Sequence, residues 1–201
     1  MIDINCDMGE INTLLDNGTY EALMDHVTSI NIACGGHAGD EKMIRAMVKT
    51  AKEKKVKIGA HPSYPDRKNF GRYEMTISDE ELSTSILEQI TRVMDIATEQ
   101  NYSISHMKPH GALYNKAAND ESLATLIGEV IKSINPSLPV MCLAGSKMVS
   151  ILKDMGLNVL RESFADRTYE ADGSLRKRTL SNALIVNSQI ASMQAYNISK
   201  N

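Results

Sequence analysis

The chain has no tryptophan, two phenylalanines and three cysteines in 201 residues. With so few large aromatics, the core has to be filled by aliphatic side chains and by the 12 methionines, whose flexible thioethers suit irregular gaps. Cys6, Cys34 and Cys142 are an odd number without a C-x-x-C pair. They read as buried thiols of a reducing compartment rather than a disulfide framework. A charge excess of one sign is lacking too: 22 Lys and Arg stand against 25 Asp and Glu, so nothing points to nucleic acid or an anionic membrane. Apolar runs such as 140–144 are far too short to cross a bilayer. The opening Met1-Ile2-Asp3-Ile4 lacks the basic and apolar regions of a signal peptide, so a cytoplasmic protein is expected. No linker, charge block or internal repeat divides the chain, which predicts a single domain over 1–201. Neither G-x-G-x-x-G nor G-x-x-x-x-G-K-[ST] occurs, so neither a Rossmann nor a Walker phosphate site is supported.

What the chain does have is an alternation of strand and helix patterns. Strands are predicted over 2–6, 29–33, 56–60, 103–107, 140–143 and 158–161, with a seventh candidate over 183–186. Between them lie a short helical pattern over 18–26 and a helix over 41–54 capped by Asp40. A third helix opens with a Ser78–Glu81 capping box and runs to about residue 99. Further helices are expected over 120–133, up to residue 155 before Gly156, and near 188–196. Such alternation argues a parallel α/β sheet, and the regular crossovers favour a closed or nearly closed barrel over a doubly wound sheet. The polar loop 66–75 is long enough to act as a flap.

In parallel α/β folds, function collects at the carboxyl ends of strands, where the loops converge. Side chains alternate along a strand, so His106, Lys108 and His110 share a face if the extended conformation persists that far. Asn5 and Asp7 likewise lie opposite Ile4 and Cys6. The strand ends supply Asp7 and Glu10, His37 and Asp40, His61, Lys108 and His110, then Asp166 and Arg167. Each has an ordinary explanation: Asp7 a turn residue, His37 or Asp40 a cap, His61 a packed core imidazole. All of them meeting on one rim by accident is a weaker explanation than chemistry. Such a rim suits proton transfer by carboxylate and imidazole, with lysine stabilising an oxyanion. One carboxylate and two histidines is also a common set for zinc, manganese or iron, although an H-E-x-x-H spacing is missing. Ser63 and Ser146 lie at strand ends without a G-x-S-x-G elbow, so a nucleophilic triad is less well supported.

Six stretches carry a family resemblance: Ile4-Asn-Cys-Asp-Met-Gly-Glu10; Asn31-Ile-Ala-Cys-Gly-Gly-His-Ala-Gly-Asp40; Gly59-Ala-His-Pro-Ser-Tyr-Pro-Asp66 with Phe70-Gly-Arg72; Lys108-Pro-His-Gly-Ala-Leu-Tyr-Asn115; Leu143-Ala-Gly-Ser146; and Phe164-Ala-Asp-Arg-Thr-Tyr-Glu-Ala-Asp-Gly173. In this order the chain resembles the LamB/YcsF family. The resemblance implies a seven-stranded β/α barrel of the glycoside hydrolase/deacetylase type. It implies ATP-dependent opening of the 5-oxoproline lactam to glutamate, with 5-oxoprolinase subunits B and C as partners that handle ATP and magnesium. By motif, Asp7, His37, His61, Lys108 and His110 inherit the catalytic site, and Asn5, Asn31, Asp40, Tyr114 and Asp166 surround the substrate. If a divalent metal is bound in this chain, as in deacetylase relatives, Asp7, His37 and His61 are the expected ligands. Competing expectations are a metal-dependent carbohydrate deacetylase and a catalytically silent subunit. Family members continue past a region like 182–201 to a strand with a Cys-Val-His-Gly-Asp-like motif that is missing here, and the loop 10–18 is shortened. The barrel is therefore expected to lack its last strand and to leave an open edge.

Overall fold

The computed structural model describes residues 2–200. Its strands are β1 (Asn5–Met8), β2 (Ser29–Ala33), β3 (Lys57–His61), β4 (Ile104–Met107), β5 (Val140–Leu143) and β6 (Val159–Glu162). They pair in parallel in chain order, β1-β2-β3-β4-β5-β6. Parallel crossovers are right-handed, so in a sheet whose order follows the chain the helices that connect successive strands lie on the same face. The helices are α1 (Asn12–Asp16), α2 (Thr19–Met24), α3 (Glu41–Lys54), α4 (Asp79–Glu99), α5 (Gly111–Ala117), α6 (Glu121–Ile134), α7 (Lys147–Asp154) and α8 (Ser188–Ile198). Neighbours pack in turn, α3 on α4, α4 on α6 and α6 on α7.

The core lies between this helical layer and the outer face of the sheet. Ile30, Ile32, Ile58, Ala60, Met107, Val140 and Cys142 project into it from the strands. Met43, Ile44, Met47, Val48 and Ala51 meet them from α3, with the 3.6-residue period of an amphipathic helix. Asp40 caps α3 by accepting the Met43 N–H, and Ser78 and Glu81 close a reciprocal capping box on α4.

The sheet is strongly curled. In a flat sheet with strands about 4.8 Å apart, β1 would lie about 14 Å from β4, and β6 about 10 Å. Yet the Lys108 ammonium, just past β4, touches Asp7 of β1 at 3.1 Å and Glu162 of β6 at 2.8 Å. The concave inner face is therefore a half-barrel, lined by the alternate residues that do not enter the core.

Several expectations need correction. Six strands are present among the described residues, where the family resemblance implied seven. The candidate over 183–186 forms only an isolated antiparallel bridge from Leu184 to Arg167, and Val186 is 92% exposed. A strand needs a neighbour to exist, and this stretch pairs with the loop after β6 rather than with the sheet. Among the described residues β1 pairs only with β2, and β6 only with β5, so no pairing closes the barrel. The first strand starts at Asn5, not residue 2; Ile2 and Ile4 are more than half exposed. Ile4 is instead tied through its backbone to Thr28, N–H to Oγ1 at 2.8 Å and carbonyl to N–H at 2.8 Å. The loop 66–75 is tethered along its first half: Arg67 donates to the carbonyls of Gly35 and Gly39, and the Gly71 carbonyl accepts the Ala112 N–H.

Candidate active site

Lys108 is the centre of the inner face. Although β4 ends at Met107, the parallel hydrogen-bond pattern runs on: Lys108 N–H donates to Ala60 O at 2.9 Å and His110 N–H to Pro62 O at 2.8 Å. That extension keeps His106, Lys108 and His110 on one face, all buried. Lys108 Nζ donates to Asp7 Oδ1 at 3.1 Å, Glu162 Oε1 at 2.8 Å and Asn5 Oδ1 at 3.3 Å. An ammonium has three N–H bonds, and all three are engaged. Burial works against its charge, but Asp7 and Glu162 outweigh burial and raise its pKa. Asp7 mirrors this: burial pushes it up, while His61, Lys108 and the Asn31 amide hold it well below the usual carboxylate range.

Around this pair the hydrogen bonds form a chain. His106 Nε2 donates to Asn31 Oδ1 at 2.7 Å, which turns the Asn31 amide so that Nδ2 donates to Asn5 Oδ1 at 2.7 Å and Asp7 Oδ1 at 2.8 Å. Burial lowers the His106 pKa to about 4, so its imidazole is neutral. The ring fits only because Gly59 faces it: a Cβ there would lie 2.3 Å from His106 Nε2. On the far side the Tyr114 hydroxyl donates to Glu162 Oε2 at 2.9 Å, and burial followed by Glu162 raises the phenol well above its ordinary value.

A second group adjoins the first. His61 Nδ1–H donates to the Lys108 carbonyl at 2.7 Å, and His110 Nε2–H donates to the Phe70 carbonyl at 3.1 Å. Their other nitrogens, His61 Nε2 and His110 Nδ1, face one another at 2.9 Å. His37 stacks on His110, with centroids 3.7 Å apart and planes 3° from parallel, and its Nε2 is 3.0 Å from Glu10 Oε1. The Phe70 ring meets both edge-on. Burial, His61 and His37 push the His110 pKa down to about 2, and burial also lowers that of His37. The side chains of Glu10, His37, His61 and His110 each offer a ligand atom, all within 4.8 Å of one another. These residues could hold a divalent metal.

The loops under these imidazoles are clamped from behind. Buried Gln89 of α4 accepts the Ser63 N–H at 3.0 Å and donates to the Ser63 carbonyl at 2.9 Å. Arg92, also of α4, donates to the Cys34 carbonyl at 2.7 Å.

Of the residues expected from sequence, the structure brings Asn5, Asp7, Asn31, His37, His61, Lys108 and His110 into one connected group, and Tyr114 joins through Glu162. Asp40 is exposed and spends its carboxylate on the α3 cap. Asp166 is exposed and makes no side-chain hydrogen bond or ion pair among the described residues. Arg167, another rim candidate, is buried and staples the C-terminal stretch by donating to Ala183 and Arg176 carbonyls. Glu162 escapes the sequence reading because the predicted strand stops one residue short of it. The alternation Leu160, Glu162 is the available signal. Glu10 stands out as a strand-end acid, but a loop separates it in sequence from the imidazoles it meets. The metal-ligand group accordingly contains Glu10 and His110 where Asp7 was expected.

Comparison with known proteins adds a further line. The LamB/YcsF family matches residues 2–201. Proteins named as the A subunit of 5-oxoprolinase, from Chloroflexus aggregans and Histophilus somni, are each 44% identical to this chain. The first aligns over 185 residues, 92% of this chain and 73% of the relative; the second over 193 residues, 96% and 76%. Among solved structures, a lactam utilization protein from Thermus thermophilus superposes with a TM-score of 0.91 at 34% identity, covering 98% of this chain and 80% of the other. No helix among the described residues is long and apolar enough to cross a membrane.

Proposed function

The chain belongs to the LamB/YcsF family, and from that premise we propose that it carries the hydrolytic step of a 5-oxoprolinase, opening the 5-oxoproline lactam to glutamate. The observation that carries this reading is the Lys108 ammonium, buried between Asp7 and Glu162 beside a cluster of buried imidazoles. Relatives 44% identical, named as subunits of that enzyme, supply the substrate class.

Opening an amide requires charge stabilisation at the carbonyl oxygen and a proton acceptor for water. Lys108 supplies the first. Its contact to Asn5 is the longest of three, 3.3 Å, and is the one a substrate oxygen would replace. Asp7 and Glu162 hold the ammonium in place and keep it charged. A carboxylate held as low as Asp7 is a poor proton acceptor near neutral pH, and so is His110 at about 2, so the base role passes to His61, whose Nε2 no backbone group occupies. Asn5, Asn31 and Tyr114 fix the walls.

A five-membered lactam is a stable amide with a poor leaving group, and its two ends stay tethered, which favours reclosure. Transfer of the ATP γ-phosphoryl group to the amide oxygen, with release of ADP, creates a far better electrophile; water then adds to that carbon, phosphate leaves and the C–N bond breaks to give glutamate. No Walker motif occurs in the chain, so partner subunits B and C, with ATP and magnesium, are assigned the activation. The test is glutamate formation from 5-oxoproline, ATP and magnesium, with and without those partners. Glutamate is expected only with the partners. None even with them refutes the reading, and robust production by this chain alone refutes the division of labour.

A further inference from the structure

We propose that His61 Nε2, His110 Nδ1 and Glu10 Oε1 form a site for one divalent transition-metal cation of the zinc class. The set departs from the Asp7, His37 and His61 expected from sequence.

Hydrogen-bond geometry decides the ligand atoms. His61 gives its Nδ1 hydrogen to the Lys108 carbonyl and His110 gives its Nε2 hydrogen to the Phe70 carbonyl. That leaves His61 Nε2 and His110 Nδ1 free of backbone partners and facing one another at 2.9 Å, within a group whose four ligand atoms all lie within 4.8 Å of one another. Two imidazole nitrogens that close share a positive centre, either a proton or a cation. A cation bound by both replaces the proton by coordination. Donation of the second N–H to a backbone carbonyl is also how proteins orient imidazoles that ligate metals.

Spacing agrees. Zinc bonds of about 2.0–2.1 Å in a tetrahedron put ligand atoms about 3.3–3.4 Å apart. His110 Nδ1 lies 3.5 Å from Glu10 Oε1, and the 2.9 Å between the imidazole nitrogens opens to that range with a small shift. The His61 and His110 rings stand at 88°, so their lone pairs can converge on one point.

Direction excludes His37, although distance does not. Its ring is parallel to that of His110, so the in-plane lone pairs of the two run side by side. Its Nε2–H instead donates to Glu10 and holds that carboxylate toward the other two ligands. Asp7 lies outside the group whose ligand atoms all approach within 4.8 Å of one another: its Oδ1 receives Lys108 and Asn31, and its Oδ2 reaches His61 Nε2 alone, at 3.4 Å. Three protein ligands leave one coordination position open, as in catalytic rather than structural zinc sites. This inference does not rest on the lactam reading, because cation binding is measured without turnover; with a cation held there, His61 Nε2 would be a ligand rather than a proton acceptor.

The experiment strips the purified chain with a chelator, removes the chelator, and titrates with Zn²⁺ by calorimetry and with Co²⁺ by visible absorption. One ion per chain, a rise in Tm on adding Zn²⁺ and cobalt d–d bands are expected. His61→Ala, His110→Ala and Glu10→Gln should each weaken binding by more than about 100-fold, whereas His37→Ala should stay within the roughly 10–100-fold of an outer-sphere partner. Asp7→Asn should keep the stoichiometry and the cobalt spectrum. Wild-type protein that binds no stoichiometric ion overturns the proposal outright and leaves the imidazole pair bridged by a proton. This arm does not depend on any variant folding. Binding that survives Glu10→Gln but is lost in folded Asp7→Asn or His37→Ala, checked by circular dichroism, overturns the ligand assignment.

Discussion

Lys108 has three N–H bonds to give and three acceptors already in place, so whatever it does to a substrate it does by exchange. Replacing it tests the charge directly. Lys108→Met in the assembled enzyme should lower kcat by about 10²–10³ and leave KM nearly unchanged, the signature of a donor that acts on the transition state. A change confined to KM in steady-state kinetics would make it a binding residue. The cysteines give a second residue-level expectation. Burial, then Asp7, pushes Cys6 up to about 11, and burial pushes Cys34 and Cys142 up to about 12. From an ordinary value of 9.0, a thiol at about 11 has roughly 10²-fold less reactive thiolate at pH 8. Iodoacetamide labelling followed by mass spectrometry should accordingly be about 10²-fold slower for Cys6, and about 10³-fold slower for Cys34 and Cys142, than in urea-unfolded protein. A native thiol that reacts as fast as the unfolded one contradicts this.

At the scale of elements, the polar support behind the site is as exacting as the site. Gln89 answers both backbone groups of Ser63, so Gln89→Ala leaves a buried N–H and carbonyl unpaired, at about 1–3 kcal/mol each. A urea midpoint lowered accordingly is expected, and an unchanged midpoint would show that water replaces the amide. Elements with strong local signals were legible in the sequence: α3 from Asp40 and its period, α4 from Ser78 and Glu81, β2 and β5 from short apolar runs. The short α1 and α5 were not, because five to seven residues are too few for a period to show. The stretch 183–186 looked like a strand because β-propensity says what fits a sheet, not whether a sheet edge is there to receive it. Within the site, Lys108 and the imidazoles were legible from strand-end logic. Glu162 and the Glu10–His37 contact were not, since they depend on how tightly the sheet curls.

For the whole molecule, the same thiols predict how stability responds to alkali. Each is raised on folding, so above about pH 9 the folded chain holds more protons than the unfolded one, and stability falls as pH rises. The contribution is fully present below the ordinary thiol value of 9.0 and is lost progressively toward 11–12. Urea midpoints measured between pH 8 and 10.5 should decline, and a flat or rising series would show the thiols to be accessible. The strand order has a different consequence, one of timing. Because every sheet partner is the preceding strand in sequence, a chain leaving the ribosome always offers the nascent strand an edge that already exists. The scaffold can thus assemble vectorially, unit upon unit, with short-range contacts that favour fast folding. The Lys108–Glu162 bond cannot: it waits for β6, the last of the described strands, to swing round toward the first. The candidate site is therefore the part of the molecule that forms late, only after β6 has been made.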